Sequence, residues 1–222
     1  MQSSNHSGPA PATRNPRQSQ ERILLAALRE FAHKGFAGAR VDAIARRARI
    51  NKRMLYHYFG NKEGLFREVL RRKIQERAEW MAAAPDDPME SLPYWFELAC
   101  GDPEWVRLLE WEALQWKNQE VIDEAHRREA LARAVARIQR RQAEGSLAPH
   151  FDAAQLLLSM MALAAYPVAF PQLARLVTGY PVSDPRFQKQ RKAFLSQFAA
   201  AFRSKTEAAG AAAAKGAQGK QP

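Results

Sequence analysis

Apolar residues recur at helical spacing along almost the whole chain, and this fixes the class of fold open to it. From Gln18 to Lys205 they fall three and four apart, β-branched residues are few, and strict alternation does not recur over four or more residues. A chain of 222 residues, 46% of them hydrophobic, can bury a substantial core between such helices. The fold class that follows is all-α. No apolar run reaches the length of a membrane span, and the N-terminus shows no signal-peptide apolar core. The single cysteine, Cys100, excludes an intramolecular disulfide framework and a Cys-rich zinc site, and suits a reducing compartment. The expectation is a globular, cytoplasmic protein with no membrane partner.

The chain is punctuated clearly. Met1 to Asn15 reads as a flexible arm of Ser, Asn, Pro, Gly and Ala, and 206–222 as a disordered Ala/Gly/Lys tail. A first helix is expected from Gln18 to about Lys34, with Ser19 or Asn15 as its cap and Gly35 as its stop. Two short helices follow, Val41–Ala48 and Lys52–Phe59, then a longer one from Lys62 to about Ala83. Pro85-Asp86-Asp87-Pro88 is the best boundary, giving an N-terminal domain over 16–80 and a helical domain over 81–205. Beyond it the helices are Met89–Cys100, Pro103 to about Asn118, Glu120 to about Glu144, Ala153 to about Val177 with breaks at Pro167 and Pro171, and Pro185 to about Lys205.

Charge is divided unequally between these parts. The whole chain carries +11 and has a pI near 10.1, which points to a polyanionic partner. Residues 1–80 hold 17 basic and 7 acidic side chains, whereas 81–222 hold 17 and 16. The polyanion contact therefore belongs to the N-terminal part.

Within it, Val41–Ala48 and Lys52–Phe59 are joined by only Arg49, Ile50 and Asn51, so they must cross steeply as a helix-turn-helix over 41–60. Val41, Ile44, Ala45 and Ala48 form the inner face of the first helix, and Ile50, Leu55 and Phe59 close the core against it. Lys52, Arg53, Tyr56 and His57 are left on the other side, where a helix opening on Lys-Arg can meet base edges while its amide end approaches phosphate.

The segment Val41-Asp42-Ala43-Ile44-Ala45 followed by Ile50-Asn51-Lys52-Arg53-Met54-Leu55-Tyr56-His57-Tyr58-Phe59-Gly60-Asn61-Lys62-Glu63-Gly64-Leu65-Phe66 resembles the DNA-binding domain of TetR-family transcriptional regulators. With the first helix included, the resemblance spans roughly 18–78, and the Leu-Tyr-His-Tyr-Phe run followed by Asn-Lys-Glu is far more specific than a generic helix-turn-helix. It implies a three-helix DNA-binding domain joined by a linking helix to a C-terminal ligand-binding and dimerisation domain. The partners it implies are a palindromic double-stranded DNA operator, a second copy of the chain and a small-molecule effector. Carried over by position, Lys52, Arg53 and Met54 fall where the family's recognition helix meets bases. Tyr56 and His57 fall at phosphate and groove contacts, and Lys62 at a backbone contact from the next helix. Arg40 stands where a Thr or Ser usually caps the second helix, and Arg49 where a Gly usually turns.

The C-terminal aromatics read as an ordinary core residue by residue, while the resemblance places a cavity somewhere among them. Its expected lining is Trp95, Phe96, Trp105, Trp111, Trp116, Met160, Met161, Tyr166 and Phe170. The 153–165 stretch is too apolar for a solvent-facing helix, and Phe194, Phe198 and Phe202 recur every four residues. The expected dimer interface is therefore Leu157, Met160, Phe194, Phe198 and Phe202.

The function expected is that of a ligand-responsive homodimeric repressor. The alternative is a non-specific nucleic-acid or nucleoid-binding helical protein, which leaves the large neutral aromatic domain without a role. An enzyme is not expected, because the chain has no Gly-rich phosphate loop, nucleophile elbow or apolar carboxylate pair. No metal or cofactor is expected either: His6, His33, His57, His126 and His150 are scattered and no HExxH spacing exists. Cys100 reads as a small buried core residue.

Overall fold

The computed structural model describes residues 15–116 and 121–201, apart from the side chains of Pro88, Met89 and Trp116. Among these residues there are ten helices and no strand. The chain divides into two compact units between Val69 and Leu70, within the fourth helix. The expected tail lies outside the described residues, as do Phe202 and all of the expected arm but Asn15, which belongs to the cap of the first helix.

In the first unit α1 (Pro16–Gly38), α2 (Val41–Ala48), α3 (Lys52–Phe59) and the start of α4 (Lys62–Ala82) close around a small core. Asn15, not Ser19, caps α1: its side chain accepts the Arg17 N–H at 3.1 Å, and Pro16 follows with the fixed φ that a first turn wants. Ser19 is instead buried in the helix. Gly35 stops the first helical run as expected, and a short second run to Gly38 continues α1 beyond the kink. The Gly35 φ of 68° and ψ of 177° break the helical run, and the Ala39 N–H returns to the Gly35 carbonyl at 3.1 Å. Ile23, Ala27, Phe31, Ile44, Leu55, Leu65 and Phe66 are all fully buried. Phe66 meets Phe31 edge-on at 4.9 Å and Phe36 at 5.5 Å, a geometry that aromatic quadrupoles favour.

One buried charge supports this core. Glu30 lies on the same stripe as Ala27 and Phe31 and is 2% exposed. Its carboxylate accepts from Lys34 Nζ at 2.7 Å and from the Arg40 N–H at 3.3 Å, with Arg47 3.9 Å away. Burial pushes its pKa up, but the Lys34 bond, the Arg40 amide and the charges of Lys34 and Arg47 outweigh that and hold it below the ordinary 4.5. A depressed carboxylate contributes stability above its unfolded pKa and loses it as pH falls through the folded one. Glu30→Gln is therefore expected to cost about 2 kcal/mol at neutral pH and to flatten the acid limb of a melting-temperature profile run below pH 4.5. An unchanged acid limb would show that Glu30 does not carry this dependence.

In the second unit α5 (Pro88–Gly101) packs on α8 (Ala153–Ala169) and α10 (Pro185–Ala200), with α6 (Pro103–Trp116) and α7 (Glu124–Ala143) against α8. Leu92, Phe96, Met160, Phe187 and Leu195 form the centre of this core. Pro167 does not interrupt α8: the helix runs through it to Ala169, and the break falls at Phe170, after which Pro171 opens α9 (Pro171–Thr178) at an 88° bend. Pro171 lacks an amide hydrogen and fits a first helical turn, so it begins a helix where its position in the sequence suggested an ending. No single described helix is long and apolar enough to cross a membrane.

Candidate nucleic-acid interface

The α2–α3 pair is built by its turn. Arg49 adopts φ 54° and ψ 47°, the left-handed region that usually takes glycine. It donates its N–H to the Arg46 carbonyl while Ile50 donates to Ala45, so the last orphan carbonyls of α2 are satisfied in a Schellman closure. The arginine side chain costs this turn about 1 kcal/mol. Asn51 then caps α3, accepting the Arg53 N–H at 2.9 Å. Arg40, at the start of α2, makes no side-chain cap, and its backbone N–H is held by Glu30 instead.

These constraints decide which face α3 presents. Leu55 points inward and is fully buried, and Phe59 is half-buried one turn later. Lys52, Arg53, Met54, Tyr56 and His57 are all exposed. The Arg53 side chain makes no hydrogen bond or ion pair among the described residues. Lys52 is held by Asp42 of α2, Nζ to Oδ1 at 2.8 Å, and that hydrogen bond raises its pKa. Both groups are exposed, so a phosphate can take the place of Asp42 at little cost.

Lys62 is placed differently. Its amine donates to the Ala37 carbonyl at 3.2 Å and lies 4.9 Å from the Phe36 ring centre, and burial lowers its pKa. An ammonium has three donors, so the Ala37 carbonyl leaves two for a DNA phosphate. Asp42 and Glu30 were not singled out by sequence. Asp42 gave no signal beyond its place in the first turn of α2, whereas Glu30 was detectable as a carboxylate on an otherwise apolar stripe.

An exposed Lys-Arg turn on the second helix of such a pair is the geometry of a DNA-reading element. The comparisons agree. Residues 23–69 match "Bacterial regulatory proteins, tetR family" and residues 94–201 match "Tetracyclin repressor-like, C-terminal domain". The HTH-type transcriptional repressor SCO4008 of Streptomyces coelicolor is 38% identical over 76% of this chain and 88% of its own length. The chain belongs to the TetR family. The crystal structure of the transcriptional regulator SCO4942, also from S. coelicolor, superposes with a TM-score of 0.69 at 27% identity, covering 82% of this chain and 96% of that one. The HTH-type transcriptional repressor NicS of Pseudomonas putida is 45% identical over 24% of this chain and 25% of its own length. This TetR-family chain is a sequence-specific DNA-binding transcriptional regulator.

The second unit of the regulator holds a partly open cavity of about 440 Å³ between α4, α5, α6, α7 and α8. Of the residues expected to line it, Trp95, Trp105 and Met161 do so, together with Leu157, which was expected at the dimer interface. Phe96 lies instead in the α5–α8–α10 core, edge-on to Phe187 at 6.2 Å, and Met160 joins the same core. Tyr166 and Phe170 are half exposed and pack on each other at 5.0 Å, because the bend at Phe170 carries them outward. Trp111 is half-buried on α6 outside the cavity. The Trp116 side chain lies outside the described residues.

The polar residues lining the cavity, Arg77, Glu110, His126 and Arg127, were all missed. Arg77 was detectable from its place between Ile74, Ala78 and Met81 on one apolar stripe. Burial pushes the Cys100 thiol up to about 11, which leaves it without thiolate reactivity at neutral pH.

Away from the cavity, Leu158, Phe194 and Phe198 are exposed, and the last two rings stack at 5.8 Å. Leu173, Leu176 and Val177 of α9 are exposed as well.

Proposed function

We propose that this regulator is a homodimeric, ligand-responsive repressor of the bacterial cytoplasm, released from a palindromic operator when a small molecule fills the second-unit cavity. The observation that carries the DNA half is the exposed face of α3, where Arg53 is unpaired and Lys52 needs only to leave an exposed carboxylate. Two such helices, one from each protomer, reach successive major grooves roughly 34–36 Å apart. Effector binding favours a state of the dimer with a different spacing, which requires higher affinity for that state than for the DNA-bound one. The repressors SCO4008 and NicS support the direction of regulation.

Genome-wide selection of bound fragments with purified protein tests the operator reading. Recovery of a palindrome is the expected result, and recovery without sequence preference favours the non-specific alternative. On the selected operator, Arg53→Ala is expected to lose about 1–3 kcal/mol of discrimination at one position of each half-site. Lys62→Ala is expected to weaken all sequences alike and to reduce the salt slope by about one. Unchanged operator preference in Arg53→Ala would remove Arg53 from the base contacts.

A further inference from the structure

We propose that the second-unit cavity selects a molecule with an apolar, ring-bearing body and one anionic group, and that Arg77 is the specificity-determining cation. This rests on the ligand-responsive reading above and adds the chemistry of the ligand.

The size of the cavity falls within the range of small-molecule sites. Its wall is apolar at fourteen of eighteen lining residues, and Trp95 and Trp105 supply flat surfaces for a ring. The four polar residues are not equivalent. Arg127 is already neutralised: it meets both oxygens of the buried Glu112 carboxylate, at 2.8 and 3.0 Å. Glu110 carries a carboxyl that burial pushes up, so it takes a proton more readily than an exposed acid and opposes an anion less.

Arg77 has no such partner. Its guanidinium reaches the Leu98 carbonyl at 3.4 Å and lies over the Trp80 and Trp105 rings at 5.1 and 5.7 Å. No carboxylate lies within ion-pair distance of it among the described residues. Asp102, whose field reaches it, is bonded to Lys73 at 2.9 Å. Burial lowers the Arg77 pKa, and the fields of Asp102 and Tyr94 offset this only in part. A planar fork of donors in that state is matched by a carboxylate-type anion and repels a second cation. His126 adds a hydrogen-bonding group: its Nε2 is buried with no partner.

The test uses the full-length protein and three probes of equal body, namely naphthoate, its methyl ester and a naphthylmethyl trimethylammonium cation, with affinities from titration calorimetry. The acid is expected to bind about tenfold or more tightly than the ester. Arg77→Met is expected to bring the acid down to the ester's affinity and to leave the ester unchanged. Arg77→Lys, which keeps the charge and loses the fork, retains part of the preference and serves if the Met variant does not fold. Glu110→Gln removes the opposing carboxylate and is expected to tighten the acid alone.

The proposal is overturned if the cation binds best, if acid and ester bind equally, if no probe binds, if Arg77→Met keeps the preference, or if Glu110→Gln weakens the acid. Operator release is read separately, by anisotropy of labelled DNA. Arg77-dependent acid binding without release leaves this inference standing and defeats the ligand-responsive reading. Release by other molecules, with no acid preference, does the reverse.

Discussion

A single methyl group added at Gly64 is expected to destabilise the DNA-binding unit by about 3 kcal/mol and to abolish operator binding with it. A Cβ at that position would stand 2.2 Å from the Phe59 carbonyl oxygen, a backbone atom with no flexible end to yield. That oxygen already accepts the Asn61 N–H at 2.8 Å, across the turn in which Gly60 sits at φ 73°. Asn61 in turn caps α4, its side chain accepting the Gly64 N–H at 2.7 Å. Making room for the methyl therefore moves the end of α3, the turn and the cap together, and the face carrying Lys52 and Arg53 moves with them. Gly101→Ala is the matched control. It too is a helical glycine, but nothing lies within 4 Å of the added Cβ, so it is expected to be neutral or slightly stabilising. Urea unfolding of both variants makes the comparison. Equal midpoints for Gly64→Ala and the parent chain would show that the α3–α4 closure gives way easily.

The contrast between Gly64 and Lys52 shows what was legible in the sequence. Local chemistry was: the three-residue turn, the Asn51 cap and the inward Leu55 follow from residue type and spacing, and the exposed side of α3 is what remains. The left-handed Arg49 was legible only through the resemblance, which puts a Gly at that position; the residue itself gave no such signal. Long-range proximity was not. Nothing in the sequence states that a Cβ at Gly64 would stand 2.2 Å from the Phe59 carbonyl oxygen, that Lys62 folds onto Ala37, or that Glu112 consumes the charge of Arg127. The aromatic residues of the second unit mark the same limit. Helical spacing shows that a residue is apolar-facing, but core, cavity and outer surface all want apolar residues. Phe96, Trp105 and Phe194 went to one of each, and only the packing of α5, α6 and α10 decided which.

The outer surface yields the other large expected effect. Asp at both Phe194 and Phe198 is expected to leave a folded monomer and to lower operator affinity by a factor of about 10²–10⁴. The two rings sit on the same side of α10 as Phe187, at the edge of the buried face that Phe187, Leu195 and Ala199 form, and each leaves part of its surface to solvent. They are 47% and 37% exposed, and Leu158 of α8 is 61% exposed. In a two-fold interface each substitution enters twice, so the double variant places four carboxylates where four rings would pack. The thermal stability of the protomer should change little, because the substituted side chains are already half in water. Operator affinity falls for a different reason: once one α3 is seated, the second half-site is reached at high effective concentration only if the protomers are joined. Light scattering at micromolar concentration separates the outcomes. A double variant that stays dimeric moves the interface to the α9 face, where Leu176 and Val177 stand 74% and 84% exposed and the same substitution logic applies.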